Sequence, residues 1–236
     1  MCVWAIVPVK PLNRAKSRLV GELEPEQREQ LATGLLKRTL RTLVPIPKIT
    51  GVLVISRDTK ALAIARDLGA QTLQESGAPE LNSALYRATH ALRGWGADVA
   101  LVVPADIPLL AAEDVESVLN LGRYSNTVVI APDRHRHGTN LLLVRPPGVI
   151  PYSFGVNSFA EHQRLAAEAG ATVHVYSSER TSLDLDTPVD LAAYYDLADV
   201  LGEPVLEPEE IPFAADRGAE TYPLEVDGEV YTIGAV

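Results

Sequence analysis

Short apolar runs of strand length alternate along this chain with longer stretches that carry the spacing of an amphipathic helix. The strand-like runs are Val3–Val9, Gly51–Ser56, Ala70–Leu73, Asp98–Val103, Thr127–Ala131, Thr139–Val144 and Thr172–Tyr176. The helical stretches are Pro25–Leu43, Thr59–Leu68, Glu80–Arg93, Glu113–Leu121, Ser158–Ala169 and Pro188–Leu197. This alternation is typical of βαβ units, so it predicts an α/β fold with a mostly parallel sheet and helices on both faces.

The length and composition fit one large domain with a tail. The chain has 236 residues, of which 47% are hydrophobic, and this is enough to bury one sizeable core. We predict a main domain over residues 1–200 and an extension over residues 201–236. The formal net charge of -10 argues against a nucleic-acid partner, because phosphate backbones require clustered positive charge.

The cellular location is predicted from features that the sequence lacks. Cys2 is the only cysteine, which excludes an internal disulfide. No apolar run approaches the roughly 20 residues of a membrane-spanning helix. The first residues also lack the basic leader of a secretion signal. We therefore expect a soluble cytoplasmic protein without a membrane partner.

The tail differs in composition from the rest of the chain. Gly202–Pro212 is rich in proline and glutamate and predicts an extended linker. In Tyr222–Ile233, Asp227 and Gly228 lie between alternating residues, which predicts a β-hairpin. Because an isolated hairpin is marginally stable in water, we expect it to dock on the main domain or on a neighbouring subunit, and a homodimer is one expected assembly.

An acidic loop follows one of the apolar runs. Pro104–Leu110 comes directly after Asp98–Val103 and carries Asp106 between two prolines. Ligands of open α/β sheets bind outside the carboxyl ends of the strands, where Asp106 is expected to lie. A carboxylate there suits a divalent cation that carries phosphates. The alternative is that Asp106 only caps the helix that follows.

A basic loop follows the first strand-like run. It carries four cations within nine residues, Lys10, Arg14, Lys16 and Arg18, in a chain that is otherwise acidic. Lysine acts on phosphate oxygens as a point charge, and arginine adds a bidentate fork. No glycine run precedes the lysines, so this is not a Walker A loop. The alternative is a solvated basic loop without a ligand.

Two further segments have both a structural and a functional explanation. Asn82 and Ser83 stand at a loop-to-helix boundary, where they could cap the helix or, in the case of Asn82, read the edge of a nucleobase. In His137–Asn140, a glycine before a polar pair lets the backbone approach a ligand closely. His135 and His137 could form a zinc pair, but no further zinc-type ligands lie nearby, and surface histidines are the simpler explanation.

Ser158 and Glu161 have the spacing of a capping box at the start of a helix. That spacing explains both residues structurally. The same helix N-terminus would nevertheless offer free N–H groups and the positive end of the helix dipole to a phosphate or carboxylate.

A second acidic segment precedes the last predicted helix. Asp184 and Asp186 lie on one face if their segment is extended. Thr187 as N-cap, Pro188 and Asp190 have the pattern of a helix start, so Asp190 has a structural explanation. Asp184, Asp186 and Asp106 could together form an acidic cluster, whose repulsion a Mg²⁺ ion would relieve.

Several of these segments carry one resemblance in common. They are Pro8–Leu19, Leu81–Leu85, Pro104–Leu110, His137–Asn140, Phe154–Ser158 and Leu183–Asp190. In their order and spacing they resemble the CofC/FbiD guanylyltransferases of coenzyme F-420 biosynthesis. The resemblance implies a nucleotidyltransferase-type α/β fold, related to the molybdopterin guanylyltransferases and sugar-nucleotide transferases. It also implies transfer of GMP from GTP to phosphoenolpyruvate or 2-phospho-L-lactate, with release of pyrophosphate.

The resemblance further implies roles for particular residues. The residues that it assigns to the phosphorylated acid are Thr139, Gly155 and Ser158. Those that it assigns to Mg²⁺ are Asp106, Asp184 and Asp186. Lys10 and Lys16 correspond to cations that bind the GTP phosphates, and with Asp106 they are the expected catalytic residues. With Arg14, Asn82 and Ser83 the two lysines make up the expected nucleotide site.

The residues by themselves leave several alternatives open. They do not separate phosphoenolpyruvate from 2-phospho-L-lactate, and the choice of GTP over other nucleotides depends on the resemblance alone. The runner-up function is transfer to molybdopterin or to a sugar phosphate. The short segment around Phe154–Ser158, without a large apolar pocket nearby, suits a small acid better. A non-catalytic GTP-binding protein is the alternative outside the enzymes.

Overall fold

A computed structural model of the chain describes residues 1–76 and 80–206 and the strand residues 222–226 and 229–233. The strands in these ranges are β1 (Val3–Val9), β2 (Gly51–Ser56), β3 (Gln71–Gln74), β4 (Val99–Val102), β5 (Thr127–Pro132), β6 (Thr139–Arg145), β7 (Thr172–Val175), β8 (Tyr222–Val226) and β9 (Glu229–Ile233). The helices are α1 (Pro25–Leu43), α2 (Thr59–Asp67), α3 (Leu81–Gly94), α4 (Ala112–Leu121), α5 (Ser158–Glu168), α6 (Glu179–Ser182) and α7 (Pro188–Leu201).

The first seven strands form one sheet with the order β3-β2-β1-β4-β6-β5-β7. The pairs β1–β2, β2–β3, β1–β4 and β5–β7 are parallel, which confirms the predicted mostly parallel sheet. β6 is antiparallel to both of its neighbours, β4 and β5. The segment between β5 and β6 is too short for a parallel crossover, which needs a dozen or more residues, so β6 runs back along β5.

Helices cover both faces of this sheet, as predicted. On one face, α1, α2 and α4 pack against alternate residues of the strands, and their fully buried side chains include Leu36, Ala61 and Val118. On the opposite face, α3 and α5 do the same with side chains such as Leu85 and Ala166. The alternation of strand side chains between the two faces gives the sheet a core on each side.

A third apolar cluster lies outside the sheet and holds the last helix. Leu31 and Leu35 of α1 pack with Leu191 and Tyr194 of α7. The segment that leads into α7 joins the same cluster through Leu183, which is almost fully buried. This packing fixes the acidic segment before α7 relative to the rest of the domain.

The remaining predictions about organisation have mixed outcomes. The short helix α6 was not predicted. β8 and β9 pair antiparallel, which confirms the hairpin, whereas its turn at Asp227–Gly228 lies outside the described residues, as do residues 207–212 of the linker. The domain boundary, the docking of the hairpin and the homodimer stay predictions. Within the described residues, no helix is both long and apolar enough to cross a bilayer.

Candidate active site

A cleft of about 570 Å³ lies at the edge of the sheet where the parallel strands end. β6 runs in the opposite direction, so its first residue, Thr139, arrives at the same edge as the last residues of its neighbours. The predicted site residues that line this cleft are Lys10, Arg14, Lys16, Asp106, Thr139, Gly155, Ser158, Asp184 and Asp186. The structure therefore brings together most of the residues that the sequence predicted from distant segments.

Lys16 lies between two carboxylates on one side of the cleft. Its Nζ is 3.1 Å from Asp186 Oδ1 and 3.4 Å from Asp106 Oδ2, and its side chain is only 7% exposed. Its backbone is left-handed, with φ 54° and ψ 37°, a conformation that costs a non-glycine residue energy and is most often kept where function requires it. The left-handed turn lies between two short 3₁₀ turns, Leu12–Arg14 and Ser17–Leu19.

Asp106 and Asp186 stabilise the positive charge of Lys16. Burial alone would lower the pKa of its ammonium group, but the negative charges of Asp106 and Asp186 and the hydrogen bonds to them raise the pKa above its ordinary value. Lys16 is therefore a permanent cation in the cleft at neutral pH. Arg18 adds a weaker contact, because its Nη1 is 3.6 Å from Asp186 Oδ2 and its side chain is 72% exposed.

The acidic segment before α7 is extended, as predicted. Leu183 and Leu185 point into the apolar core, while Asp184 and Asp186 alternate with them and line the cleft. The backbone N–H of Leu185 donates to the carbonyl of Asp106 at 2.9 Å, which joins this segment to the loop after β4. Burial, and then the charges of the other two aspartates, raise the pKa of Asp184 to about 6.

The structure decides between two explanations for the acidic residues. Asp106 does not cap α4, because that helix begins at Ala112 and its first turn is closed by Asp114, which accepts from Ala111 N. Thr187 and Asp190 do form a reciprocal capping box at the start of α7, which confirms the structural explanation for Asp190. The Asp106 carboxylate therefore caps no helix; it pairs with Lys16 and lines the cleft.

The three aspartates fit a magnesium ion only in part. In residues 1–76 and 80–206, no set of three histidine, cysteine or acidic side chains is arranged so as to hold a metal ion by itself. The predicted three-carboxylate ligand set is therefore not preformed in this region. Hard carboxylate oxygens nevertheless suit Mg²⁺, which usually takes one or two carboxylates and completes its coordination with water and substrate phosphates.

Other cations line the cleft without carboxylate partners. Among the described residues, Lys10 and Arg14 make no ion pair, and both are exposed at the cleft. Arg57, which follows the end of β2, also lines the cleft without an ion pair among the described residues; it is half-buried and was not predicted from the sequence. Its position directly after a parallel strand was the available signal. These cations can receive a polyphosphate without first breaking a salt bridge.

The opposite side of the cleft is formed by Thr139, Gly155 and Ser158. The predicted capping box at Ser158 is wrong. Asn157, with φ 57°, occupies the N-cap position and Ser158 is the first helical residue, while Glu161 pairs with Arg164 instead. The left-handed Asn157 places the N-cap one residue before the predicted cap. Among the described residues, the Ser158 hydroxyl has no hydrogen-bond partner, so it is available at the N-terminus of α5.

A buried histidine supports this side of the cleft. His162 in α5 is fully buried, and its Nδ1 is 3.0 Å from Thr139 Oγ1. Its Nε2 accepts a hydrogen bond from Ser153 N at 3.1 Å. Burial lowers the pKa of His162 to about 4, so the imidazole is neutral at physiological pH. A histidine at a core position of an amphipathic helix is typical of ordinary packing, so no feature of the sequence indicated this contact.

Asn82 and Ser83 are not among the residues that line the cleft. The cap of α3 is Glu80, which accepts from the N–H groups of both residues, so their predicted capping role is wrong. The side-chain amide of Asn82 donates to Phe154 O and accepts from Phe154 N, at 3.1 and 2.8 Å. Asn82 therefore holds the loop before Gly155, and its reading of a nucleobase stays a prediction.

The loop of His135 and His137 is exposed, and the two rings lie with their centroids 6.3 Å apart. Asp133 holds this loop by accepting from the N–H groups of His137 and Gly138. The carbonyl of His137 accepts from Phe159 N, which joins the loop to the start of α5. These contacts place Thr139 next to the N-terminus of α5.

Solved structures share this architecture. A nucleotidyl transferase from Methanothermobacter thermautotrophicus superposes with a TM-score of 0.65 at 14% identity, over 85% of this chain and 99% of that one. At this identity the likeness concerns the fold alone. It shows that the chain has the fold of that nucleotidyl transferase, with a cleft in which cations face converging carboxylates at the edge of the sheet.

Sequence comparison gives a narrower assignment. Residues 1–195 match the family described as guanylyl transferase CofC like, and the chain belongs to that family. A phosphoenolpyruvate guanylyltransferase from Rubrobacter xylanophilus is 43% identical over 195 residues, which cover 81% of this chain and 93% of that protein. A 2-phospho-L-lactate guanylyltransferase from Methanothermobacter thermautotrophicus is 38% identical over 191 residues, which cover 81% of this chain and 83% of that protein.

Proposed function

We propose that this protein transfers GMP from GTP to phosphoenolpyruvate, giving enolpyruvyl-diphospho-guanosine and pyrophosphate as a step of coenzyme F-420 biosynthesis. A phosphate oxygen of the acid attacks the α-phosphorus of GTP and forms the new P–O bond. The bond between the α-phosphorus and the bridging oxygen breaks, and pyrophosphate leaves with the electron pair. The attacking phosphate is already ionised near neutral pH, so the step needs no general base.

The observation that carries this proposal is the position of Lys16 in the cleft. Its ammonium group is fixed by Asp106 and Asp186, within the same cleft as Thr139 and Ser158. Negative charge builds up on the α-phosphate and on the leaving pyrophosphate during the transfer. A cation that is already in place stabilises that charge without reorganising, and this is commonly the largest contribution to such catalysis.

Each group of residues has a distinct part in the reaction. Lys16 contacts the α-phosphate, while Lys10 and Arg14, with Arg57, bind the β- and γ-phosphates of GTP. Asp106, with Asp184 or Asp186, would hold Mg²⁺, which would supply neutralisation of phosphate charge. Positioning and charge neutralisation then account for the reaction.

The acid binds on the other side of the cleft. Ser158 offers its hydroxyl at the start of α5, where the helix dipole favours the negative charge of an anion, while the N–H groups of Ser158 and Phe159 already donate to Gly155 O and His137 O. Gly155, with φ 146°, has a backbone conformation that an L side chain rarely adopts, and it leaves the backbone open to the ligand. This small polar site suits a three-carbon acid. The similarity to the Rubrobacter protein favours phosphoenolpyruvate over 2-phospho-L-lactate.

The proposal is tested by incubating the purified protein with GTP, Mg²⁺ and each acid separately. We expect pyrophosphate release with GTP and phosphoenolpyruvate, together with a product of the mass of enolpyruvyl-diphospho-guanosine. Parallel reactions contain ATP in place of GTP, or a sugar 1-phosphate in place of the acid. Reactions without an acceptor provide the background rate.

The other results identify the alternatives. If only 2-phospho-L-lactate gave a product, the proposed acceptor would be wrong, but the reaction would still be a guanylyl transfer. Pyrophosphate with the sugar phosphate alone would indicate a sugar-nucleotide transferase. If GTP raised the melting temperature but no acceptor gave pyrophosphate, the protein would be a non-catalytic GTP-binding protein, and the proposed transfer would be wrong.

A further inference from the structure

The hydrogen bonds of His162 determine which of its nitrogens carries the proton. The backbone N–H of Ser153 can only donate, and it donates to His162 Nε2 at 3.1 Å. Nε2 must therefore present a lone pair. A neutral imidazole has one N–H, so the proton is on Nδ1. Because burial lowers the pKa of His162 to about 4, this neutral form persists at physiological pH.

This tautomer in turn fixes the direction of the Thr139 hydroxyl. Nδ1 of His162 lies 3.0 Å from Thr139 Oγ1, and with its proton on Nδ1 it donates to that oxygen. The proton of Thr139 must then point to another acceptor. Among residues 1–76 and 80–206, the structure provides no such acceptor for Thr139, which is only 7% exposed and lines the cleft. Its proton is therefore available to a ligand.

We propose that His162 is a positioning residue that makes the Thr139 hydroxyl a fixed hydrogen-bond donor to the anionic acceptor. The inference rests on the proposed function and adds to it the reason why an anion is selected. A fixed donor favours a ligand atom that only accepts, such as a carboxylate or phosphate oxygen. A group that presents its own N–H or O–H at this point leaves two protons facing each other.

His162 also connects the two segments that form the acceptor side. One ring nitrogen binds Ser153, whose neighbours Phe154 and Gly155 lead to α5, and the other binds Thr139 at the start of β6. The ring of Phe154 contacts the imidazole edge-on, with the centroids 5.0 Å apart. One buried side chain thereby sets the spacing between the Thr139 hydroxyl and the N-terminus of α5, where the two ends of a small dianionic acid would bind.

The first test measures the tautomer directly and needs no turnover. In ¹⁵N-labelled full-length protein, long-range ¹H–¹⁵N correlation spectra distinguish a protonated ring nitrogen from one with a lone pair. We expect His162 to show a protonated Nδ1 and an unprotonated Nε2 at pH 7. A spectrum with the proton on Nε2 would overturn the inference, even if the proposed transfer reaction were confirmed.

The second test is a double-mutant cycle on the enzyme reaction. We expect His162→Leu to raise the KM for phosphoenolpyruvate about tenfold and to change the KM for GTP less than twofold, because the hydrogen bond from Thr139 to the charged acid would no longer be oriented. Thr139→Val should have a similar effect. In the Thr139→Val background, His162→Leu should raise the KM for phosphoenolpyruvate by less than a further twofold, because the hydroxyl that His162 orients is already absent.

The matched control is His90→Leu, which changes an exposed histidine on α3 and should leave both KM values unaltered. Additive effects of His162→Leu and Thr139→Val would show that His162 does not act through Thr139, and would overturn the inference. An equal rise in both KM values would do the same, because it would indicate general damage to the fold. A wild-type protein without transferase activity would refute the proposed function, and the tautomer measurement would then decide on His162.

Discussion

The two sides of the cleft are built by different forces. On the charged side, formed by Lys16, Asp106, Asp184 and Asp186, ion pairs hold Lys16 against Asp106 and Asp186, and each aspartate is partly exposed. On the hydrogen-bonded side, formed by Thr139, Ser153, Ser158 and His162, neutral groups determine the geometry, and Thr139, Ser158 and His162 are almost fully buried. The charged side is suited to the phosphates of a nucleotide and the other side to a small acid.

The two sides therefore differ in how precisely their side chains must be positioned. The Coulomb energy of two charges falls slowly with distance, so the charged side tolerates small displacements of its side chains. A hydrogen bond weakens steeply with angle, so the other side needs fixed orientations. We therefore expect substitutions on the charged side to lower turnover strongly, and those on the hydrogen-bonded side to affect mainly the KM of the acid.

The largest expected effect is that of Lys16→Met. The substitution removes the preorganised cation, and loss of one such stabilising group typically costs a factor of 10²–10³, so we expect kcat/KM to fall by about a thousandfold. Pyrophosphate release gives the rate. Arg18→Met is the matched control. Arg18 is exposed and contacts the Asp186 carboxylate only weakly, so its loss should lower kcat/KM by less than about threefold. A Lys16→Met protein within tenfold of wild type would contradict the assigned role.

Asp106→Asn should lower kcat by about a hundredfold, or about 2.7 kcal/mol of transition-state stabilisation. The amide keeps the shape of the side chain but provides neither the charge that holds Lys16 nor a strong magnesium ligand. The melting temperature should change little, because the Asp106 side chain caps no helix. Asp196→Asn, at an exposed position on α7, is the control. Wild-type turnover in Asp106→Asn would remove this residue from the mechanism.

The acid stability of the protein should depend on His162. Burial lowers its folded-state pKa to about 4 from an ordinary 6.5, so protonation favours the unfolded chain. Its contribution to the free energy of unfolding is complete above pH 6.5 and is lost as the pH falls towards 4. Between pH 7 and pH 5 the loss is about 2 kcal/mol.

Urea unfolding of wild type and His162→Gln at both pH values measures this contribution. The variant cannot titrate at this position, so its stability should decrease by about 2 kcal/mol less than that of wild type. Equal decreases in the two proteins would show that His162 does not carry the acid sensitivity, and would weaken the contrast between the two sides of the cleft.

The smallest expected effect is that of Ser158→Ala. Its hydroxyl makes no capping bond, so its removal breaks no hydrogen bond within the described residues, and the melting temperature should stay within about 2 °C. The KM for phosphoenolpyruvate should rise about tenfold, because one hydrogen bond to an anion is lost. Thr187→Ala is the informative comparison. That residue does cap a helix, and we expect lower stability with little change in KM. If Ser158→Ala instead lowered the melting temperature and left the KM for phosphoenolpyruvate unchanged, Ser158 would have only a structural role.

Features that depend on local patterning could be predicted from the sequence. The alternation of apolar runs and helical stretches predicts the layers of the fold, because burial of a strand or a helix face is visible in the residues themselves. Asp184 and Asp186 alternate with two leucines, and this local pattern places both carboxylates on the side away from the core. The basic loop after β1 was recognisable because the charges of Lys10, Arg14 and Lys16 are unusual in an acidic chain.

Features that depend on tertiary contacts could not be predicted from the sequence. The apolar run of β6 is compatible with either direction, and only its position beside β5 makes it antiparallel. The N-cap of α5 is Asn157 instead of Ser158, because Asn157 adopts a left-handed conformation that no local rule requires. His162 lies in an amphipathic helix like any core residue, and its partners come from β6 and from the loop before α5.

The antiparallel strand β6 also has a consequence for how the protein is made. β4 pairs with β1 on one edge and with β6 on the other, so after residue 102 has left the ribosome one row of its backbone groups stays open until Thr139–Arg145 emerges. An open strand edge is the part of a nascent chain most prone to join another chain. Insertion of this single strand closes that edge and delivers Thr139 in the same event, so the edge of β4 is already covered in any chain in which Thr139 has reached the cleft.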